Sequence, residues 1–158
     1  MLFRSLGRLS IDWARRSLAN AQVELALNQT AGAHRIAADM TERITHSPSR
    51  EYLKIYEAGA ALVEGKVRLR TREPSSALPF LKQAVDLDSA LYDPERSPEL
   101  ADAQIALADC LIELGDRREA GILFEKAKAI HSTQPNLGEQ FKTPFRAVVA
   151  RLAARQAT

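Results

Sequence analysis

Residues 100–131 read LADAQIALADCLIELGDRREAGILFEKAKAIH and contain two apolar patterns with helical spacing, one on each side of Gly115. Apolar residues that recur every three or four positions mark one face of an α-helix. The pattern therefore predicts two helices joined by a tight turn. The predicted packed faces are Ile105, Leu107, Leu111, Ile112 and Leu114 before the turn, and Ala120, Leu123, Phe124, Ala127 and Ile130 after it.

The residues between the two patterns carry the signals of a helix end followed by a helix start. Gly115 suits the position just after a helix, where the backbone adopts a positive φ. Asp116 begins the sequence Asp-Arg-Arg-Glu. In a capping box, the Asp116 carboxylate caps the second helix and Glu119 reaches back to the Asp116 backbone. We therefore expect the first helix to end at Gly115 and the second to begin beside Asp116.

The same pattern of small and apolar residues occurs twice more, earlier in the chain. The residues Ala108, Ala120, Phe124 and Ala127 have counterparts 43 positions earlier at Gly65, Ala77, Leu81 and Ala84, and a further 44 positions earlier at Ala21, Ala33, Ala37 and Met40. A small residue at the first of these positions matters because two helices cross closely only where a side chain is nearly absent. We therefore predict three helical hairpins.

A hairpin with these residues resembles the tetratricopeptide repeat (TPR). Ala108 stands where that family has Gly or Ala, and Gly115, Ala120 and Phe124 follow. The units exceed the 34 residues usual in the family, and are similar to the long-repeat type of kinesin light chains and bacterial signalling proteins. The resemblance covers roughly residues 13–132. It implies a right-handed solenoid of hairpins that binds a protein or peptide on its concave surface.

One known TPR activity is capture of a chaperone's C-terminal carboxylate. In that family it depends on a Lys and an Asn, followed by a Lys and an Arg. The corresponding positions here hold Leu18, Gln22, Asp102 and Ala106. The resemblance therefore does not imply co-chaperone activity.

Three Ser-Pro or Thr-Pro pairs, at Ser47-Pro48, Ser97-Pro98 and Thr143-Pro144, have the composition of a helix start. They predict a single TPR-like domain over 1–158, with hairpins at about 2–46, 47–91 and 97–132 and a cap helix over 143–156. A cap helix covers the apolar face that a stack of hairpins leaves open. Its predicted packed residues are Phe145, Val148, Val149 and Leu152.

The composition excludes several classes of protein. The chain has 158 residues, of which 46% are hydrophobic, enough for one domain with a packed core. Abundant Ala, Leu, Arg and Glu predict an all-α fold. The net charge of +2 is too small for a nucleic-acid binder. No apolar run reaches the ~18 residues of a membrane helix, and the first residues lack a signal peptide's apolar core. We expect a cytoplasmic protein without nucleic-acid or membrane partners.

The catalytic and metal-binding patterns that we considered are not met, so we expect no enzyme activity, cofactor or metal. Residues 59–66 (GAALVEGK) have five residues between the glycines and no Ser or Thr after the lysine, unlike a phosphate-binding loop. His34, His46 and His131 lack the spacing of a zinc site. Cys110 has no evident His partner and is expected to be a buried, small apolar residue.

The resemblance also predicts a groove between the first helices of the second and third hairpins. In the family these helices lie side by side, so equivalent positions become neighbours. Lys66 is equivalent to Asp109, and Arg70 to Glu113, so we expect each pair to be close. The predicted groove residues are Leu62, Lys66, Leu69, Arg70, Asp102, Ile105, Asp109, Ile112 and Glu113.

Two interpretations of these charged residues stay open. The charges can simply neutralise one another across the stack, in which case each exposed pair contributes ~0–1 kcal/mol. Alternatively, they line a groove that is suited to an extended peptide of mixed charge.

The N-terminal residues Phe3, Leu6, Ile11 and Trp13 form an apolar face that must be covered. Either they pack on the first hairpin, or further sequence or a second copy of the chain covers them. The favoured function is protein–protein interaction without catalysis. The alternatives are homodimerisation or a structural role as the C-terminal module of a larger bacterial regulator or kinase, and a small-molecule sensor.

Overall fold

The computed structural model describes the backbone of residues 2–154 and the side chains of residues 11–154. The described residues form seven α-helices and no strand, which confirms the predicted all-α fold. The helices are α1 (Leu2–Ala26), α2 (Thr30–Thr45), α3 (Arg50–Arg70), α4 (Pro74–Leu91), α5 (Pro98–Leu114), α6 (Arg117–Ser132) and α7 (Glu139–Ala154).

The helices pack as three consecutive hairpins followed by α7. Each hairpin pairs an odd-numbered helix with the next even-numbered one, and α2 and α4 also contact the first helix of the next hairpin. The odd-numbered helices contact one another in the order α1, α3, α5, α7, whereas within the described residues the even-numbered helices do not touch. The first helices of the hairpins and α7 therefore form one row.

The three hairpins contain the same turn. Asn28, Arg72 and Gly115 each adopt a positive φ, of 60°, 62° and 88° respectively. In each turn this residue donates its N–H to the carbonyl three positions earlier, and the following residue donates to the carbonyl five positions earlier. This pair of hydrogen bonds is the Schellman motif of a helix C-terminus. The three turns lie 44 and 43 residues apart (72 minus 28, 115 minus 72), which confirms the repeat lengths predicted from the small residues.

The small residues lie where the two helices of a hairpin meet. Ala33, Ala77 and Ala120, which are equivalent, have no exposed surface. A Cβ atom added to Gly65 would lie 2.4 Å from Cδ2 of Leu81 on the partner helix. Such a separation is far inside van der Waals contact, so α3 and α4 can approach this closely only because position 65 has no side chain.

The helix-start signals are only partly confirmed. Ser97 caps α5 by accepting a hydrogen bond from the backbone N–H of Leu100, with Pro98 in the first turn. Asp116 caps α6 by accepting from the N–H of Glu119. The reciprocal half of the predicted capping box is not formed, because the Asp116 N–H already donates to a carbonyl of α5 within the Schellman motif.

The other two Ser/Thr-Pro pairs do not stand at the helix starts that they predict: α3 begins two residues after Pro48, and α7 begins five residues before Pro144. The third helix begins at Arg50, and the hydroxyl of Ser47 accepts from the N–H of Ser49 in the preceding turn. The last helix begins at Glu139, so Pro144 lies inside it. A proline within the second turn removes one backbone donor without ending the helix, and the Ser/Thr-Pro pattern cannot distinguish this position from the first turn.

The last helix packs on the third hairpin, as a cap helix was expected to do. The Phe145 ring stacks on Phe124 and His131 of α6, with ring centroids 4.9 and 4.6 Å apart. Val148 is buried in the main core, the apolar cluster that it forms with residues of α4, α5 and α6. Val149, predicted on the same face, is 40% exposed. The described part of this helix ends at Ala154, so predicted positions 155 and 156 lie outside the described residues.

The N-terminal apolar residues are accounted for in part. Ile11 and Trp13 are half-buried and pack on a cluster that includes Met40, Ile44 and Leu53. Of the two alternatives for this face, packing on the first hairpin therefore applies to Ile11 and Trp13. The side chains of Phe3 and Leu6 lie outside the described residues.

Candidate functional site

A groove of about 830 Å³ lies along the row of odd-numbered helices and is called the central groove here. All four helices of the row contribute to it. Its lining residues are Gln22, Leu25, Ala26, Gly59, Leu62, Val63, Lys66, Leu69, Arg70, Asp102, Ile105, Ala106, Asp109, Glu139, Gln140, Phe141, Thr143, Pro144, Ala147 and Val148. Most of them are apolar, and the volume lies within the range typical of ligand sites in proteins.

Most of the predicted groove residues line this groove. They are Leu62, Lys66, Leu69, Arg70, Asp102, Ile105 and Asp109. Two predicted residues do not line it. Ile112 is only 3% exposed and belongs to the main core. Glu113 is exposed, and its carboxylate pairs with Arg151 of α7. For these two positions the predicted groove extended too far along α5.

The two pairs of residues expected to be close across α3 and α5 form no direct ion pair in the described part of the chain, and Lys66 pairs with a different carboxylate of α5. Lys66 Nζ lies 2.6 Å from Oδ2 of Asp102, which is seven residues before the predicted partner Asp109. Seven residues correspond to about two helical turns, or roughly 10 Å along the axis. A long side chain also points back toward the N-terminus of its own helix. Matching equivalent residues of the repeats therefore identified the helix that Lys66 faces, which is α5. It did not identify the position along α5 at which Lys66 makes its contact.

The two carboxylates expected to face α3 are engaged from the opposite side. Arg151 of α7 bonds to both Asp109 and Glu113. Burial raises the pKa of Asp109, and the attraction of Arg151 offsets that effect only in part. Asp109 thus joins the groove wall to α7 instead of remaining available to pair with Lys66.

Arg70 occupies a different environment from the other charged groove residues. Its Nη1 donates to the backbone carbonyl of Leu25 in the last turn of α1. A cation is favourable at the C-terminus of a helix, where carbonyl groups lack partners within the helix. Arg70 forms no ion pair with a carboxylate of the described residues, and its side chain is exposed. Arg70 therefore forms no ion pair with Glu113, the residue expected to lie near it.

The basic run at residues 66–72 is divided among different environments, as its helical spacing predicts. Lys66 and Arg70 line the central groove. Arg68 points away and bonds to Glu64 and Glu73, with N–O distances of 2.8 and 3.1 Å. These residues therefore do not form one basic stripe.

Two walls of the groove were missing from the prediction. Gln22, Leu25 and Ala26 of α1 are equivalent to Lys66, Leu69 and Arg70, 44 positions later. The same register applied to the first hairpin would have found them. Residues 139–148 of α7 could not be found in this way, because the Thr143-Pro144 pair placed the start of that helix too late.

A close contact fixes the α1 wall against α3. A Cβ atom added to Gly59, which lines the groove, would lie 2.6 Å from Cδ2 of Leu18 on α1. The absence of a side chain at Gly59 therefore lets α1 approach α3 closely.

A smaller cavity of about 240 Å³ lies between α2 and the C-terminal end of α3. His34 Nδ1 lies 2.7 Å from Oε2 of the buried Glu64, whose other oxygen accepts from Nε of Arg68 at 2.8 Å. Both oxygens of the buried carboxylate thus have partners, and the network links two helices. It has no unpaired group that would call for a ligand.

Cys110 occupies a structural position in the core. Cys110 is fully buried, its Sγ lies 3.2 Å from the carbonyl oxygen of Pro74, and burial raises the pKa of its thiol to about 11. The thiol is therefore protonated at neutral pH, and thiols react as thiolates. Within the described side chains, no group of three His, Cys, Asp or Glu residues is arranged to hold a metal ion.

Comparison of the chain with protein-family models, with curated protein sequences and with solved structures finds no match in any of the three. Among the described residues, no helix is long and apolar enough to cross a membrane.

Proposed function

We propose that this chain is a TPR-like, right-handed helical-hairpin solenoid that binds a protein partner, as a peptide or a helix, in the central groove without catalysis. The observation that carries the proposal is the groove itself. Four helices in a row line it, and its wall is largely apolar with charged groups among the apolar residues. A preformed surface of this kind lowers the ordering cost of association, since its own side chains are already held in place.

Three further features support the repeat assignment. The same turn recurs at intervals of 44 and 43 residues. Equivalent small residues lie buried between the helices of each hairpin. The odd-numbered helices contact one another in chain order. Together these are the features of a repeat protein whose units each contact only their neighbours.

The test of the proposal is to fill the groove without altering the core. Ala147 lines the groove and is exposed, so Ala147→Trp would place an indole ring in the groove. Ala150 is exposed on the same helix but outside the groove, and Ala150→Trp is the matched control. Partners are captured from a lysate of the source organism with the unchanged chain and both variants as baits, and quantified by mass spectrometry.

We expect at least one partner to bind the unchanged chain and Ala150→Trp and to be lost with Ala147→Trp. If all three baits captured the same proteins, or captured only the chain itself, the groove would not be the binding site. The domain would then be better described as a structural or self-associating unit.

Self-association is a second candidate, because α1 presents apolar side chains to solvent. Val23 of α1 is 56% exposed, and Leu27, which follows the end of α1 one turn later, is 63% exposed. A second copy, or another part of a larger protein, would cover them favourably. Light scattering should then show a doubled mass that Leu27→Glu reduces to that of the monomer. A monomeric mass for the unchanged chain would exclude this candidate.

A further inference from the structure

We infer that the peptide bound in the central groove carries an internal Asp or Glu side chain within an apolar segment, and that this carboxylate binds Arg70. The inference rests on the proposed function and specifies the chemistry of its partner. It follows from the balance of charges in the groove, taken one charged residue at a time.

The other charged residues of the groove are already neutralised within the described part of the chain. Lys66 pairs with Asp102. Asp109 pairs with Arg151, which also binds Glu113 outside the groove, and Glu139 pairs with Arg146. A ligand charge directed at any of these residues would have to displace an existing partner. None of them therefore selects a ligand by its charge at low cost.

Arg70 is the exception among the charged groove residues that the structure describes. A guanidinium group has five N–H donors, and the described residues accept one hydrogen bond from it, at the Leu25 carbonyl. That contact neutralises no formal charge. The side chain is exposed and lies beside apolar lining residues, Leu25, Ala26 and Leu69. Arg70 is therefore the one cation of the described groove residues that no described carboxylate balances, and its surround is apolar.

An Arg with free donors matches a carboxylate, because the two planar groups can form parallel hydrogen bonds. The surrounding apolar residues favour aliphatic or aromatic side chains next to that carboxylate. The only described helices that α1 contacts are α2 and α3. No described helix closes the groove beyond α1, so a peptide can continue past Arg70. We therefore assign the carboxylate to a side chain within the peptide and not to its C-terminus.

The experiment begins with a phage-displayed library of random 12-residue peptides, selected on the full chain. Selected peptides are required to lose binding to Ala147→Trp, which blocks the groove. A selected peptide is then synthesised with acetylated and amidated ends, so that it carries no terminal charge, together with a version in which its Glu or Asp is replaced by Gln or Asn. Affinities are measured for the unchanged chain, Arg70→Gln and Arg72→Gln.

The unchanged chain should bind the acidic peptide about tenfold more tightly than the neutral one, the usual size of a charge-assisted hydrogen bond that remains partly solvated. With Arg70→Gln the two peptides should bind within about twofold of each other. Arg72→Gln should retain the tenfold preference, because Arg72 is exposed but lies outside the groove. This double-mutant comparison separates recognition from any loss of stability, since a purely structural role would weaken both peptides equally.

A second variant covers the case in which Arg70→Gln does not fold. Ala26 is exposed, ends α1 and lines the groove with Arg70. Ala26→Glu would place a carboxylate within the protein that competes for Arg70, and should also abolish the preference for the acidic peptide.

The inference would be overturned by a wild-type chain that binds acidic and neutral peptides equally, or by an Arg70→Gln variant that keeps the preference. A neutral peptide that regains affinity when its C-terminus is left as a free acid would assign the carboxylate to a chain terminus instead, and would overturn it too. In all these cases binding in the groove itself still stands. If no selected peptide lost binding to Ala147→Trp, the proposed function and the inference would both fail.

Discussion

At equivalent positions of the second and third hairpins, the turn residue is Arg72 in one and Gly115 in the other, yet both have a positive φ. The close contact between the helices of the second hairpin joins Gly65 to Leu81, and the equivalent positions of the third hairpin hold Ala108 and Phe124. The two hairpins therefore have one backbone arrangement and different side chains. Within this chain, the repeats therefore share the backbone conformation of the turn more closely than they share amino-acid sequence.

The same comparison identifies a pair of buried titratable groups. Asp88 of α4 and His131 of α6 are equivalent, 43 residues apart. Asp88 is 5% exposed, and burial, with repulsion from Glu99 and Asp102, raises its pKa to about 7. His131 has a buried Nε2 without a partner among the described residues, and burial lowers its pKa. Burial therefore favours the neutral form of both groups. The contribution of Asp88 to folding stability should fall as the pH rises, whereas that of His131 should fall as the pH falls.

The largest expected effect comes from Asp88→Asn. The folded pKa of Asp88, about 7, lies above its ordinary value of 3.8. The unfolded chain therefore loses this proton first, and folding stability falls as the pH rises between these two values. At about 1.4 kcal/mol per pKa unit, the upper limit is about 4 kcal/mol. Asn cannot ionise, so the variant should match the unchanged protein near pH 4 and exceed its stability by about 2–4 kcal/mol at pH 9.

Urea unfolding of the unchanged protein and Asp88→Asn at several pH values measures this difference. A stability difference that stays constant from pH 4 to pH 9 would show that Asp88 ionises normally in the folded protein. The contrast between the two hairpins would then be lost.

The next effect concerns the close contact in the second hairpin. Gly65→Ala would place a methyl group against Leu81, a fully buried side chain that would have to shift within the packed core. Overpacking of this kind destabilises a protein by about 1–3 kcal/mol. Gly121→Ala is the matched control within a helix of the third hairpin, because no atom lies within 4 Å of its added Cβ. The free energy of unfolding of this control should rise by up to about 1 kcal/mol, because Ala has a higher helix propensity than Gly.

Chemical denaturation of both variants tests this contact. Equal effects of the two substitutions would mean that α3 and α4 can separate without loss. The spacing of the second hairpin would then not depend on the glycine.

A smaller effect is expected from exchanging the turn residues. A residue with a side chain in the left-handed conformation costs about 1 kcal/mol relative to glycine. Arg72→Gly should therefore raise the free energy of unfolding by roughly 0.5–1 kcal/mol, and Gly115→Arg should lower it by about 1 kcal/mol. Thermal unfolding of the two variants measures both changes. A loss with Arg72→Gly would indicate that the Arg72 side chain makes a stabilising contact that outweighs its backbone strain.

The smallest expected effect is that of His131→Phe. The pKa of His131 lies below its ordinary value of 6.5 because the imidazole is buried, although Asp102 acts in the opposite direction. Below that value the unfolded chain takes up a proton that the folded chain does not, so stability falls as the pH falls. Phe keeps a ring to stack on Phe145 and cannot be protonated. The variant should become more stable than the unchanged protein as the pH falls below about 6.5. Asp88→Asn should instead gain its advantage as the pH rises.

Some parts of the fold could be predicted because their signals are local. The α5–α6 hairpin was predicted closely, since Gly115 and the caps at Ser97 and Asp116 act within a few residues of their own position. The start of α7 was missed because Thr143-Pro144 imitates a helix start, and the only start signal within residues 139–142 is the acidic Glu139 in the first turn.

The candidate site could be predicted in composition but not in pairing. The repeat register located most of the α3 and α5 walls of the groove, because residues that face the neighbouring helix recur at the repeat length. It placed Lys66 near Asp109 but did not find its ion-pair partner, which is Asp102. It also had no means of finding Arg151, because α7 is not one of the three repeats.

The sequence by itself determined the all-α class, the three hairpins and their repeat lengths of 43 and 44 residues, because helix formation and the packing of one hairpin depend on residues close together in the chain. Only the tertiary structure decided which charges neutralise one another, that α7 completes the groove, and that Arg70 keeps its charge without a carboxylate partner among the described residues. The physical reason is that a sequence specifies positions along each helix, whereas ion pairs depend on the relative heights of neighbouring helices. Those heights are set by the packing of the whole stack.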